Sequence, residues 1–131
     1  MKHLLLAVYL LFSIGATAQS NNGNKIFDVA PEFPGGMEGV QNYLKITVRY
    51  PETARKANVE GRVQVKFDVD ENGAVNGIKV VNPVNPSLDS EAVRVVKGMP
   101  NWKPATLNNK NVKVSMVLPI VFALSDDKTT K

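Results

Sequence analysis

The chain of 131 residues contains no cysteine and a single histidine, His3. Without cysteine no disulfide can form, so the hydrophobic core alone must hold the fold. The one histidine lies at the extreme N-terminus, which leaves the rest of the chain without Ser-His-Asp or Cys-His machinery and without the usual zinc ligands. The composition therefore predicts a protein that is not an enzyme and that needs no cofactor or metal.

Charge and long apolar runs are also scarce. Charged residues make up 21% of the chain and the net charge is +4, which is too mild for a nucleic-acid-binding footprint. The one long apolar run, residues 4–12, follows Lys2 and precedes Ala16-Thr17-Ala18. This order is typical of a cleavable export signal, so residues 1–18 are predicted to be a signal peptide. The alternative is an uncleaved membrane anchor, but a spanning helix needs about 20 apolar residues and residues 4–18 are fewer.

Three carboxylates, Asp68, Asp70 and Glu71, are the remaining candidates for acid–base chemistry. They stand beside Asn72-Gly73, a strong hairpin signal, and a hairpin tip is normally solvated. Residues 68–73 also match the first half of a calcium-binding EF-hand loop, but its twelfth residue should be a bidentate glutamate and here is Lys79. The pattern favours an acidic hairpin turn over either site.

The N-terminal half of the predicted domain is helical. Residues 19–36 are polar or rich in proline and glycine, which predicts a flexible lead-in. Apolar residues then recur at helical spacing, at Met37, Val40, Leu44 and Val48. Pro51 can occupy the first turn of a second helix that runs to about Asn58.

Three strands and one further helix are predicted after Gly61. The first strand alternates cleanly, with Val63, Val65, Phe67 and Val69 on one face. The second, residues 74–81, changes parity at Gly77 and so predicts a bulge. Ser87 is the predicted N-cap of the helix, whose apolar face is formed by Leu88, Ala92, Val95, Val96 and Met99. The last strand spans residues 112–124, after a turn at 108–110, and residues 125–131 are a predicted disordered tail.

The position of Pro119 helps to fix the topology. Proline cannot donate to a ladder, so it belongs on an edge strand with its nitrogen facing outward. The third strand, which carries Pro119, is therefore predicted at an edge beside the first strand. The sequence thus predicts an α+β fold with a three-stranded antiparallel sheet, in the order second–first–third, and helices packed on one face.

That edge strand is the candidate binding site, because an edge presents unpaired N–H and C=O groups to another chain. Val117, Pro119 and Val121 lie on the face away from the core, and only Lys113 guards one end. An ordinary edge closed by a loop or by the N-terminal segment is an equally good interpretation of the sequence alone, and pairing with a second copy to give a homodimer is a third. The predicted binding residues are Val112, Lys113, Val114, Ser115, Met116, Val117, Leu118, Pro119, Ile120 and Val121.

Five landmarks between residues 50 and 124 occur in one order: Tyr50-Pro51-Glu52-Thr53-Ala54-Arg55, the stretch from Glu60 to Val69 with the turn Asn72-Gly73, Leu88-Asp89-Ser90-Glu91-Ala92, Trp102-Lys103-Pro104, and Leu118-Pro119-Ile120-Val121-Phe122. This arrangement resembles the C-terminal domain of TonB, a periplasmic module that grips outer-membrane receptors. The resemblance implies a domain over residues 37–124 with its core at 50–124. It also implies that the last strand accepts a receptor's peptide by β-augmentation. The matching positions are Tyr50, Pro51, Gly61, Gly73, Trp102 and Pro104, and burial in the core is favoured over peptide contact for Trp102, Tyr50 and Pro51.

The chain also departs from that family. A full TonB has an N-terminal membrane helix and a long proline-rich spacer, whereas residues 19–26 here are few, polar and without proline. The expected function is therefore a free periplasmic module that binds a peptide segment of an outer-membrane receptor or other envelope protein. The alternative is a TonB-type energy transducer for receptor-dependent uptake, retained at the inner membrane by residues 4–18.

Overall fold

The computed structural model describes residues 2–5 and 26–126. The predicted signal peptide and C-terminal tail therefore lie outside the described residues, apart from residues 2–5 and 125–126. Among the described residues, no helix has the length and apolar character needed to span a membrane. The helices are α1 (Gly36–Thr47), α2 (Glu52–Lys56) and α3 (Pro86–Lys97), and the strands are β1 (Lys2–Leu5), β2 (Gly61–Val69), β3 (Val75–Val80), β4 (Ala105–Leu107), β5 (Lys110–Val112) and β6 (Val114–Asp126).

The main sheet has β2 between β3 and β6, antiparallel to both. This confirms the predicted α+β fold and the predicted strand order, with α3 packed against β2 and β3. A fourth strand, β1, adds to the outer side of β6 and pairs with residues 123–126. The sequence did not predict β1, because residues 2–5 belong to a stretch that is typical of an export signal.

The β2–β3 hairpin follows the predicted alternation. Val63, Val65, Phe67 and Val69 are all buried, while the residues between them are exposed or half-buried. The ladder shifts register opposite Gly77, whose φ of +62° suits a residue without a Cβ. The bulge predicted from the parity change is confirmed.

The N-terminus of α3 differs from the prediction. Asn85, and not Ser87, is the N-cap: its side-chain oxygen accepts hydrogen bonds from the N–H groups of Ser87 (2.9 Å) and Leu88 (3.2 Å). Pro86 explains the difference, because proline is favoured at the first helical position, where its missing N–H costs nothing. The predicted apolar face of α3 is buried as expected.

The segment that precedes α1 is docked onto the domain. Val29 pairs with Thr106 and Glu32 with Lys103 in isolated antiparallel bridges. Phe33 is buried and lies 5.4 Å, centroid to centroid, from the ring of Trp102. From Ile26 onward, the predicted flexible lead-in is thus attached to the fold by backbone hydrogen bonds and by an aromatic anchor.

A small hairpin stands where the predicted last strand begins. Asn108 and Asn109 both have positive φ, 53° and 65°, as a tight two-residue turn between β4 and β5 requires. Val112 pairs with Ala105 in this hairpin and Lys113 lies between the strands, so β6 begins at Val114. The predicted edge strand is therefore two residues too long at its N-terminal end.

Candidate functional site: the outer edge of strand β6

The direction of each backbone group on β6 follows from its pairing with β2. The carbonyl of Gln64 accepts a hydrogen bond from the N–H of Val81 (2.8 Å), so the backbone groups of Gln64 face the β3 side. Pro119 stands directly opposite Gln64. In an antiparallel ladder both members of such a pair face away from each other, so the nitrogen of Pro119 points to the outer edge, as predicted.

Alternation along the strand then gives the rest of the edge. Ser115, Val117 and Val121 have the same parity as Pro119, and their N–H and C=O groups therefore face outward. Within the described residues, no strand pairs with this side of β6 between residues 114 and 122. The edge thus offers the outward N–H groups of Val117 and Val121 on either side of Pro119, which has no N–H to donate.

Beyond residue 122 the same edge is occupied. Residues 123–126 extend past the start of β2, and β1 lies against them in antiparallel register. On the opposite side the N–H of Leu124 donates to the carboxylate of Glu60 (2.7 Å). The overhang, defined as residues 123–126, therefore has β1 as its strand partner within the described part of the chain.

The two faces of β6 have different characters. Val114, Met116, Leu118, Ile120 and Phe122 are buried on the core side, while Val117 and Val121 are half-buried on the other face and Pro119 is buried there. At the start of the strand, Ser115 donates a hydrogen bond to Asp68, whose other carboxylate oxygen lies 3.8 Å from the ammonium of Lys113. The edge between these ends is apolar, and Lys113 is bound to Asp68 instead of standing free as a guard.

Comparison with known proteins identifies the family of the chain. The family described as Gram-negative bacterial TonB protein C-terminal matches residues 47–124. The chain belongs to this family. Two proteins named Protein TonB, from two strains of Helicobacter pylori, are each 28% identical over 116 residues, which is 88% of this chain. The chain spans only 38% of the length of these relatives, and no solved structure matches it.

Two of the positions that carry the resemblance to TonB hold the β2–β3 hairpin tip against the core. Gly73 has a φ of +85°, and a Cβ built on it would lie 1.9 Å from the carbonyl oxygen of Trp102. The N–H of Trp102 donates to the carbonyl of Gly73 (2.8 Å). Trp102 is 4% exposed and packs between Phe33 and Phe67, which confirms the core interpretation. Among the described residues, its indole N–H has no hydrogen-bond partner.

The other matching positions also serve the TonB C-terminal fold. Tyr50 donates its hydroxyl to the carbonyl of Val59 and stacks edge-on against Phe122 at 5.6 Å. Pro51 is the N-cap residue of α2. A side chain on Gly61 would collide with Val84 (2.5 Å), and Pro104 is half-buried just before β4. None of the six lies on the outer edge of β6, so these positions build the domain that presents the edge.

A second polar cluster was not predicted from the sequence. Glu91, on α3, is 11% exposed at its side chain and accepts hydrogen bonds from the backbone N–H of Arg49 (2.7 Å) and from the guanidinium of Arg94 (2.8 Å). Arg94 also donates to the carbonyl of Thr47 (2.8 Å). Burial raises the pKa of Glu91, but the hydrogen bonds and charges of Arg94 and Arg49 outweigh it, and the net pKa is lowered. The only local signal was the spacing of Glu91 and Arg94 on α3.

The acidic hairpin turn behaves as expected. Asp70 accepts hydrogen bonds from the N–H groups of Asn72 and Ala74, both at 2.9 Å. These bonds hold the pKa of Asp70 below its usual value, with the Ala74 N–H as the largest cause. Its carboxylate therefore closes the turn. In the described part of the chain, no group of three acidic, histidine or cysteine side chains could hold a metal ion.

Proposed function

We propose that this TonB C-terminal domain is a periplasmic binding module that docks an extended segment of an outer-membrane receptor or other envelope protein. The segment adds as a strand to the outer edge of β6. The observation that carries the proposal is the outer edge between residues 114 and 122, which no strand of the described residues covers and on which β6 itself carries no charged side chain. Main-chain hydrogen bonds supply the affinity, and the alternate side chains on the two faces supply the specificity.

The pairing of β1 supports the same conclusion. β1 is an extended segment that lies antiparallel on the same edge, a few residues further along β6. Residues 123–126 of this edge therefore accept an antiparallel strand. A receptor segment on residues 115–121 would continue the same ladder, with Pro119 as the one position that cannot donate to it.

The second candidate is a TonB-type energy transducer for receptor-dependent uptake, retained at the inner membrane by residues 4–18. It is favoured by the family and by relatives that bear the name Protein TonB. The two candidates share the edge and differ at the N-terminus. A mature protein that begins at Gln19 supports the free module, and one that retains Met1 in the inner membrane supports the transducer.

The experiment uses the chain of residues 19–131 as bait in an envelope extract. This chain retains every core residue that the described part of the structure buries, from Phe33 to Phe122. Val117→Pro removes one outward N–H donor and places a second proline ring on the edge. The loss of a hydrogen bond worth about 1 kcal/mol predicts at least fivefold weaker capture of outer-membrane receptors. Captured proteins are identified by mass.

The matched control is Val80→Pro on the opposite edge of the sheet. The N–H of Val81 bonds to β2, so by alternation the N–H of Val80 faces away from β2, and this variant should keep receptor capture. Loss of capture in both variants, or in neither, contradicts docking at β6. Unfolding of Val117→Pro alone would mean that its N–H is required within the sheet. Capture of the bait's own copies and nothing else would favour the homodimer instead.

A further inference from the structure

The outer face of the sheet carries three exposed cations beside the proposed docking edge. Lys66 on β2 stands between Lys79 on β3 and Val117 on β6, and Arg62 stands opposite Val121. All three cationic side chains are exposed. Within the described residues none of them forms an ion pair, and the nearby Asp68 is already bound by Ser115 and Lys113.

This arrangement is unfavourable inside the domain itself. Like charges directly opposite each other on neighbouring strands, as Lys66 and Lys79 are, destabilise a sheet. Only uncharged side chains separate Lys66 and Arg62 from the outer edge, because the residues that stand opposite them on β6 are Val117 and Val121. An anionic group at that edge would therefore relieve a repulsion that the domain leaves in place.

The register fixes where such a group must stand. Val117 and Val121 both turn their backbone groups outward, so each would form a hydrogen-bonded pair with a residue of an incoming antiparallel strand. Residues opposite each other project their side chains to the same face, and positions 117 and 121 are four residues apart. Strands lie about 4.8 Å apart, so an extended lysine or arginine chain on β2 can reach past a valine on β6 to a side chain on the added strand.

We propose that the partner is an extended segment with two acidic side chains four residues apart, which stand opposite Val117 and Val121 and meet Lys66 and Arg62. This inference rests on the proposed strand addition and specifies its ligand. The residue between the two acidic positions faces Pro119 and loses the hydrogen bond that an N–H there would donate. The recognition element is thus acidic, neutral, acidic at alternate positions on the outer face of the added strand.

The test uses three synthetic twelve-residue peptides of alternating threonine and valine. One carries glutamate at positions 4 and 8, and the second carries glutamine there. The third carries glutamate at positions 4 and 7, so that only one of its carboxylates can project from the outer face of the sheet. Binding to residues 19–131 is measured by calorimetry at low and at high salt. One charge pair at about 7 Å in water lowers the dissociation constant about threefold. With two such pairs, the first peptide should bind about tenfold more tightly than the second at low salt. The third should fall between them.

Two variants of the protein complete the test. Lys66→Gln should weaken the first peptide about threefold and leave the second unchanged. Lys97→Gln removes the same charge from an exposed position on α3, on the helical side of the sheet, and should change neither. Equal affinities for the first two peptides, or equal effects of the two variants, would overturn the acidic pattern while strand addition stands. Peptides that do not bind, or whose binding is insensitive to Val117→Pro, would overturn strand addition as well.

Discussion

Truncation of Phe67 to alanine tests whether the alternating face of β2 is the core of the domain. Phe67 is 1% exposed, and its ring lies 5.7 Å from that of Trp102. Removing the ring forfeits about 2 kcal/mol of apolar burial and about 1 kcal/mol of aromatic contact, and it leaves a cavity. The free energy of unfolding should therefore fall by about 3–5 kcal/mol, as buried phenylalanine truncations do.

The assay is urea denaturation followed by far-ultraviolet circular dichroism. For an m-value of about 1–2 kcal/mol per molar urea, the expected loss lowers the midpoint by about 1.5–5 M. Lys66→Ala is the matched control, since it removes the adjacent side chain from the exposed face of the same strand. That substitution should change the stability by no more than about 0.5 kcal/mol.

The two variants together give a clear result. A cost below about 1 kcal/mol for Phe67→Ala would refute the assignment of the core, because a ring enclosed on all sides cannot be removed so cheaply. A cost of about 3 kcal/mol or more for both variants would mean that both faces of β2 are covered. In that case the cations of the outer face would not be available to a partner.

Three further predictions test other parts of the structure. Glu91→Gln should make the stability depend less on pH in the acidic range. Because the pKa of Glu91 is lowered in the folded protein, its ionised carboxylate contributes stability above its unfolded pKa, and this contribution is lost as the pH falls through the folded pKa. The urea midpoints of the two proteins should therefore converge at low pH. Gly73→Ala should cost more than about 1 kcal/mol in the same assay, because of its positive φ and the 1.9 Å approach of its Cβ to Trp102. The double variant Leu4→Cys, Leu124→Cys of the full chain should form a disulfide on mild oxidation, because the two residues are directly opposite each other and the chain has no other cysteine. A protein that mass spectrometry finds still reduced would contradict the β1–β6 pairing.

The parts of the fold that the sequence predicted are those with strong local patterns. The alternation of β2, the Asn72-Gly73 turn and the parity change at Gly77 each depend on residues close in the chain, and each is confirmed. The outward direction of Pro119 was also predictable, because a proline nitrogen excludes a position in the ladder.

The features that were missed depend on distant partners. Phe33 lies in a polar, proline-rich segment, and nothing near it indicates that it docks beside Trp102. The β4–β5 hairpin has strands of only three residues each, too short for a periodic pattern to identify. Glu91 meets the N–H of Arg49, which is 42 residues away, so their contact follows from the packing of α3 and not from local sequence.

The overhang of β6 links the N-terminus to the proposed edge. Residues 123–126 extend beyond β2, so in the described structure β1 is the strand that holds them in the sheet. If residues 1–18 are removed as a signal peptide, β1 is removed with them, and the overhang is left with the contact between Leu124 and Glu60. A partner strand that covers both residues 115–121 and the overhang then gains hydrogen bonds. It must also order the residues of the overhang, which costs about 1–2 kcal/mol of conformational entropy for each residue. A chain that keeps its N-terminus has β1 in that place, and so offers the partner a shorter edge that is already ordered at its end.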